Sequence, residues 1–455
     1  MRIDFSQAEL MDNAFSARPM TFCDTGPKNH LSAVLDLLAI ETGERRAREN
    51  WQQAQLSNLL AHARRRSAFW QRRITKNVNA VKLANLPILL RPALIEQVTT
   101  EGSLLTTSDK ISVQKHSTSG SSGIPTEFFV SAMNGEYNHV RSVAQYFMEG
   151  RNLAKNRTML QYAPHTSKNG LVVKRSGSWV PALSSFFRTG QTKHIQYFHP
   201  DLASFVRELA RDQIGYLISS PRIVETMLQH VTAEFFKKSD TTIWLPMGEA
   251  VDPRLRQELQ SIGVPVLASY SSEEVGLIGS ECASVPGNYH IASSNVLVEV
   301  LTDEGFEIKG VKLGRVLVTH LHSYATPFIR YDLGDLASLA KRCACGHDGP
   351  VLYNVHGRTK SLLKHRDGSI SPFHIRDNEL LGIAKCKEFR IRQTDLQTIV
   401  IELGGIGELS DTQHQQLIDL VTLHAGTGFK TIMRTSDSLD WGKNRKRLGF
   451  QSDVL

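Results

Sequence analysis

Five cysteines in 455 residues are too few for a disulfide framework, so a reducing compartment is expected. No apolar run is long enough to cross a bilayer, and the start, Met1-Arg-Ile-Asp-Phe5, carries no apolar signal segment. A cytoplasmic protein that does not engage a membrane is therefore expected. Internal repeats and low-complexity tracts are also absent, which excludes solenoids and disordered arrays. What is present fits a globular chain, with 41% apolar and 22% charged residues. The length exceeds what one core usually supports, so two or more domains are expected.

The formal net charge is +8. Such an excess favours anionic partners, either nucleic acid or a small anionic substrate. Two basic clusters stand out, Arg64-Arg65-Arg66 with Arg72 and Arg73, and Lys443 with Arg445, Lys446 and Arg447. Neither lies in a nucleic-acid motif, and the first sits in a helical pattern where a solvated face is expected, so no nucleic-acid partner is assigned.

Residues 33–75 read as mostly helical, with Leu56, Leu59, Leu60 and Ala63 as an apolar stripe. From about residue 110, strands and helices alternate. Candidate strands are Ile111–His116, Glu127–Ser131, Thr158–Tyr162, Gly215–Ser220, Thr242–Met247 and Pro265–Ser269. Pro221 opens one helix between them. Asp252 and Pro253 open another, which Gly263 closes. This alternation predicts an α/β domain with a parallel sheet. Beyond residue 287 strands dominate, and a boundary is placed just after Gly357, so the expected domains are 1–359 and a small α+β unit, 360–455.

The strongest local signal is His116-Ser-Thr-Ser-Gly-Ser-Ser-Gly-Ile-Pro-Thr126, set between two candidate strands. Its glycines let the backbone approach an anion, and its N–H and hydroxyl groups can donate to phosphate oxygens. It is not a Walker sequence. The run resembles the phosphate-binding loop of adenylate-forming enzymes. Further matches follow in that family's order: Leu245-Pro-Met-Gly-Glu-Ala250, Tyr270-Ser-Ser-Glu-Glu-Val-Gly276, Arg330-Tyr-Asp-Leu-Gly-Asp335, Gly357-Arg-Thr-Lys360 and Gly442-Lys443-Asn-Arg-Lys-Arg447. Leu86-Pro-Ile-Leu-Leu-Arg91 is similar to a segment of the phenylacetate–coenzyme A ligase branch. Any one of these is weak alone; the ordered set spans most of the chain.

The resemblance implies a large N-terminal domain of mixed sheets and helices with a small mobile C-terminal domain, and ATP at their interface. It implies roles residue by residue. Ser117, Thr118, Ser119, Gly120, Ser121, Ser122 and Gly123 would hold the β- and γ-phosphates. Gly248, Glu249, Ala250, Ser269, Tyr270 and Ser271 would line the adenine side. Asp335 would accept from the ribose hydroxyls with Arg358 beside it. Glu274 would ligate Mg²⁺, a hard cation suited to carboxylate and phosphate oxygens. Lys443 would offset charge developing at the α-phosphate and carboxylate. The sequence departs from the family at Ile124, Ser271, Glu273 and Lys446.

Tyr162, His165, Ser220, Pro221 and Ser269 lie near expected strand ends, where open α/β sheets bind ligands, and mark a candidate acyl pocket suited to an aromatic or modified acid. Cys282, His290, Cys343 and Cys345 can close a structural zinc site, with His347 as the alternative fourth ligand and Cys23 and Cys386 outside it.

The resulting expectation is an AMP-forming acid–thiol ligase. Its acceptor would be coenzyme A or a carrier-protein phosphopantetheine arm, with an amine acceptor or a degenerate nucleotide-binding homologue as alternatives. A homodimer is left open. A basic, zinc-containing nucleic-acid module is the reading from another class, and salt-sensitive binding without ATP dependence would mark it.

Overall fold

The computed structural model describes residues 27–455 except 76–81, 106–111, 119–125, 163–170, 198–201, 212, 303–305, 359–360 and 441–448. Three helices, Pro27–Thr42, Arg45–Arg66 and Ala68–Arg73, occupy the stretch read as helical. Leu56, Leu59, Leu60 and Ala63 are buried as one stripe. Ser67 ends the second helix and caps the third, its Oγ accepting from the Trp70 N–H. Within the basic run, Arg64 and Arg65 face solvent, while Arg66 donates to the Leu104 carbonyl and Arg73 to that of Ile88.

A five-stranded sheet has the order Leu171–Ser178, Gln191–Tyr197, Arg157–Tyr162, Gly215–Ser219, Thr241–Pro246. Its pairings are parallel except for the first strand, which runs antiparallel at the edge. Leu160, Ile195, Leu217 and Trp244 join the helix residues Phe205, Ile223, Met227, Leu255 and Leu259 in one buried cluster, the near-continuous apolar burial that a covered parallel sheet requires. The helix Pro253–Ser261 forms as its punctuation dictates. Asp252 Oδ1 accepts from the Arg254 N–H at 2.7 Å, and Gly263 takes φ +81°.

One expected strand is corrected. Residues 265–268 form no strand and join the parallel sheet only through the bridge of Trp244 with Val266, while Ser269 already belongs to the next sheet. Trp244 donates to the Pro265 carbonyl and accepts from the Leu267 N–H, after which the chain leaves for a second sheet. Proline has no N–H to extend such a ladder.

That second sheet is antiparallel and seven-stranded, ordered Val296–Leu301, Gly314–His320, Tyr331–Ala340, Val351–Arg358, Tyr289–Ile291, Gly276–Glu281, Ser269–Ser272. Distant helices are sewn to it by buried polar bonds. Glu41 accepts from the N–H groups of Ser293 and Ser294 and from Ser294 Oγ. Arg330, at φ +52°, donates to Glu299 and to the carbonyls of Ala84 and Leu86. Leu89 pairs with Tyr331. The Leu86–Arg91 stretch and the Arg330 stretch, far apart in sequence, are thus neighbours.

The C-terminal part builds its own sheet, Lys430–Ser436, Thr398–Gly404, Glu388–Asp395, Phe450–Ser452, under the helices Asp377–Ala384 and Asp411–Ala425. Leu363, Phe373, Leu380, Ile391, Ile401, Leu403, Leu417 and Val421 form a separate core. The fold is therefore a mixed α/β protein, a large N-terminal part with mixed sheets followed by a C-terminal α/β sheet. Among the described residues no helix is long and apolar enough to cross a membrane.

Two buried histidines make stability depend on pH. Burial, with His322 nearby, pushes His320 down to about 3, and burial pushes His322 down to about 4 against the bond to the Ser294 carbonyl. Both stay neutral in the folded chain, whereas the unfolded chain takes up protons below about 6.5. Their contribution is complete above that value and is lost as pH falls towards 4. Urea unfolding at pH 5 is expected to show stability lower than at pH 7 by about 2 kcal/mol per histidine. Replacing both by Gln should flatten that slope.

Candidate functional site

The glycine-rich run is held between two paired strands. Val113–Ser117 and Glu127–Ser131 are antiparallel, with Ser117 opposite Glu127. Thr118 N–H donates to the Thr126 carbonyl at 2.9 Å, and Thr126 N–H to Thr118 Oγ1 at 3.2 Å. Both threonines are buried. This pinch closes the stem of the loop; Ser119, Gly120, Ser121, Ser122, Gly123 and Ile124 lie outside the described residues. Phe129 N–H donates to Thr326 Oγ1, which ties the hairpin to the turn before Arg330.

The antiparallel sheet curls enough to bring its edge strand against a strand four places away in the order. Tyr270 Oη donates to Asp335 Oδ2 at 2.6 Å. Asp335 is also the register partner of Arg358 across two paired strands. Earlier in the same strand Asp332 accepts from the Gly334 N–H at 2.8 Å, and Gly334 takes φ +77°. Glu274 is buried and accepts from Tyr331 Oη at 3.3 Å. Residues read as separate adenine, ribose and metal contacts thus meet on one curled sheet. Tyr331 itself was missed as a site residue, although it stands inside the Arg330–Asp335 motif that signalled the region.

The other candidates fall at the carboxyl ends of the parallel strands. Tyr162 ends one strand, Ser220 and Pro221 follow another, and Gly248, Glu249 and Ala250 follow a third. Met247 N–H donates to the Ser219 carbonyl, which joins the last two ends. Ser220 Oγ is buried without a hydrogen-bond partner. Ser269 and Ser271 are exposed residues of the edge strand beside Tyr270. His165 and Lys443 lie outside the described residues. The stems of the Lys443 stretch do not: the Asp440 carbonyl accepts from Arg390, and the Gly449 carbonyl from the Ile391 N–H, both on one strand.

The cysteine and histidine candidates converge. Tyr289–Ile291 pairs with both Gly276–Glu281 and Val351–Arg358, which sets the Cys282 turn beside the Cys343–Cys345 turn. The ligand atoms of Cys282, His290, Cys343 and Cys345 all lie within 4.8 Å of one another. Tetrahedral Zn–S and Zn–N bond lengths require ligand separations of about 3.4–3.8 Å, so the four groups need little adjustment to share one ion. Cys345 Sγ is 3.4 Å from His290 Nε2. His347 instead stacks on His290 with centroids 4.1 Å apart. Cys386 is buried in the C-terminal core, and Cys23 lies outside the described residues.

The cluster also separates its thiols. Burial pushes Cys282 up to about 11. At Cys343 burial also raises the value, but hydrogen bonds from Asn288, the Cys345 backbone and His290 outweigh it and bring the thiol down to about 6. Burial lowers the His290 value. A thiolate beside a neutral imidazole is the form a metal takes. Asn288, 3.4 Å from Cys343 Sγ, carried no signal in the sequence.

No protein-family model matches the chain, and no curated protein does. Solved structures do match. The chain is similar to 2-hydroxyisobutyryl-CoA ligase in the postadenylation state in complex with R3-HIB-AMP, with TM-score 0.61, 16% identity and 91% of each chain covered. It is similar to the same enzyme in complex with 2-HIB-AMP and CoA in the thioesterification state, with TM-score 0.55, 17% identity, and 91% of this chain and 92% of the other covered. The chain therefore has the fold of the adenylate-forming acyl-CoA ligases.

The Tyr270–Asp335 bond is open to a direct measurement. A hydrogen bond to a charged group contributes about 1.5–3 kcal/mol. Tyr270→Phe is therefore expected to lower unfolding free energy by about that much, with Tyr270→Trp no better. An unchanged value would mean that the hydroxyl is exchanged for water at no cost.

Proposed function

We propose that this protein is an AMP-forming acid–thiol ligase. It would activate a carboxylic acid, aromatic or modified, to an acyl-adenylate and pass the acyl group to the thiol of coenzyme A or a carrier-protein phosphopantetheine arm. The observation that carries the reading is the meeting of Tyr270, Asp335 and the Arg358 register position at one place on the curled sheet, from motifs separated in sequence. The likeness in fold supports it. An amine acceptor remains the alternative second step.

In this reading the domains are 1–359 and 360–455, the second turning relative to the first between the two steps. The stem pinched by Thr118 and Thr126 holds the loop from Ser117 to Gly123 against the β- and γ-phosphates. Asp335 exchanges its Tyr270 partner for the ribose hydroxyls, and the freed ring lies along the adenine. Glu274, buried and bonded to one phenol, suits a hard cation; Mg²⁺ bound there would neutralise phosphate charge. Lys443 approaches the α-phosphate, where a carboxylate oxygen bonds to phosphorus and the bond to pyrophosphate breaks. The thiol then gives its proton to solvent and its sulfur bonds to the acyl carbon as the bond from that carbon to the AMP phosphate oxygen breaks and AMP leaves. Positioning and electrostatics carry both displacements. Tyr162, His165, Ser220 and Pro221 line the acyl side.

ATP–pyrophosphate exchange across aryl, fatty and keto acids tests this. Exchange is expected with one acid class only and should fall roughly a hundredfold or more in Lys443→Ala, the loss of one charge-stabilising group. Measurable ATP binding with no exchange across a broad panel would refute the ligase and favour a degenerate nucleotide-binding homologue.

The four-residue cluster is assigned to a structural Zn²⁺ that pins two turns and takes no part in the chemistry. Metal analysis should find about one zinc per chain in the wild type and little in Cys343→Ser. Chelation should lower the unfolding midpoint. Full exchange activity in zinc-free, folded protein fits this role; stability indifferent to chelation contradicts it.

A further inference from the structure

Two opposite charges sit on one face of the helix Pro221–Leu228, and both are buried. Arg222 is 6% exposed and Glu225 1%. The spacing i, i+3 aligns them. Their partners come from the C-terminal part of the chain. Arg222 Nε lies 3.0 Å from Asp377 Oδ1, and its guanidinium sits 5.0 Å from the Phe389 ring centroid. A Cβ at Gly449 would stand 3.1 Å from Arg222 Nη2, so the backbone approaches there closely. Glu225 accepts from Arg376 Nε at 3.2 Å and from the Asp377 N–H at 3.3 Å. Around this core, Arg376 pairs with Glu258 at 2.8 Å and Arg254 with Glu379 at 2.9 Å.

We propose that Arg222 and Glu225 are a latch that fixes one orientation of the C-terminal part on the parallel-sheet layer. The order of charges, plus then minus on one side and Arg376 then Asp377 on the other, fits in a single register. A slip would set Arg222 against Arg376, and like charges in contact reject an arrangement that apolar contacts would tolerate. Buried ion pairs add little net affinity against desolvation, yet removing one partner is costly. Such a device therefore selects an orientation without making it permanent.

Its placement connects it to the site. The latch helix begins at Ser220 and Pro221, and the helix that carries Arg254 and Glu258 follows the Leu245–Ala250 segment. On the other side, Gly449 is where the stretch containing Lys443 rejoins the sheet. Resting on the ligase reading, Arg222 and Glu225 are positioning residues for whichever half-reaction uses this orientation.

Hydrogen exchange on the full chain tests the latch without any substrate. Arg222→Ala and the isosteric Glu225→Gln are expected to speed exchange roughly tenfold in peptides covering 221–228 and 377–384. Peptides covering 314–320 should be unaffected, and Arg222→Lys should restore most of the protection. Unchanged rates at both helices, or a uniform rise everywhere, would overturn the latch. Adenylation by pyrophosphate exchange and thioester formation from supplied acyl-adenylate are then measured separately. One should drop roughly tenfold while the other holds; equal loss in both would overturn the positioning role. If wild type exchanges no pyrophosphate with any acid, the ligase reading fails, and hydrogen exchange still decides the latch.

Discussion

The site depends on the curl of one antiparallel sheet. Seven strands laid flat would hold Tyr270 and Asp335 well apart, since neighbouring strands are nearly 5 Å from each other. The observed bond between their side chains requires the sheet to bend back on itself. The bend draws on register shifts in the pairings of the Tyr331–Ala340 strand with both its neighbours, and of Ser269–Ser272 with its partner. Irregular pairings increase local twist, so the sheet gains curvature where the candidate residues sit. The same sheet carries the turns that bring Cys282, His290, Cys343 and Cys345 together, so both groups of candidate residues rest on one scaffold.

Much of this was legible in the sequence. The helix Pro253–Ser261 announced itself through Asp252, Pro253 and Gly263, because capping chemistry is local. Cys282, His290, Cys343 and Cys345 could be grouped from the sequence because thiols and an imidazole are zinc-type ligands, and the fold brings the four together. The parallel strands near 158, 215 and 242 showed as short apolar runs. The strands Leu171–Ser178 and Gln191–Tyr197 did not. Lys174, Arg175, Lys193 and His194 break their pattern, and the pairing that makes them strands comes from tertiary contact. Pro265–Ser269 failed for the opposite reason: an apolar run looked like a strand, but its ladder lacked a proline donor and a continuing neighbour.

The ionic latch was illegible for a deeper reason. Arg222, Glu225, Arg376 and Asp377 form no motif in the sequence, and nothing in their spacing links the two pairs. Only the docking of two separately built layers buries them together. Long-range polar bonds of this kind have no periodicity to betray them. The same is true of Arg330, whose guanidinium clasps the Ala84 and Leu86 carbonyls and so gives structural meaning to two motifs recognised from likeness alone.

The bonds that sew the first helices to the second sheet also bear on how the chain is made. Glu41 awaits Ser294, 253 residues further on, and Arg48 awaits the Asp348 carbonyl, 300 residues on. At synthesis rates of about 5–20 residues per second, that is roughly 13–50 s for Glu41. The stripe of Leu56, Leu59, Leu60 and Ala63 belongs to the same core cluster as Val275, Ile278, Val296, Val316 and Val318, so that core too is complete only when the later strands are made. The first helices are therefore made early and completed late, since their buried charges meet these partners only once the chain beyond residue 290 is made.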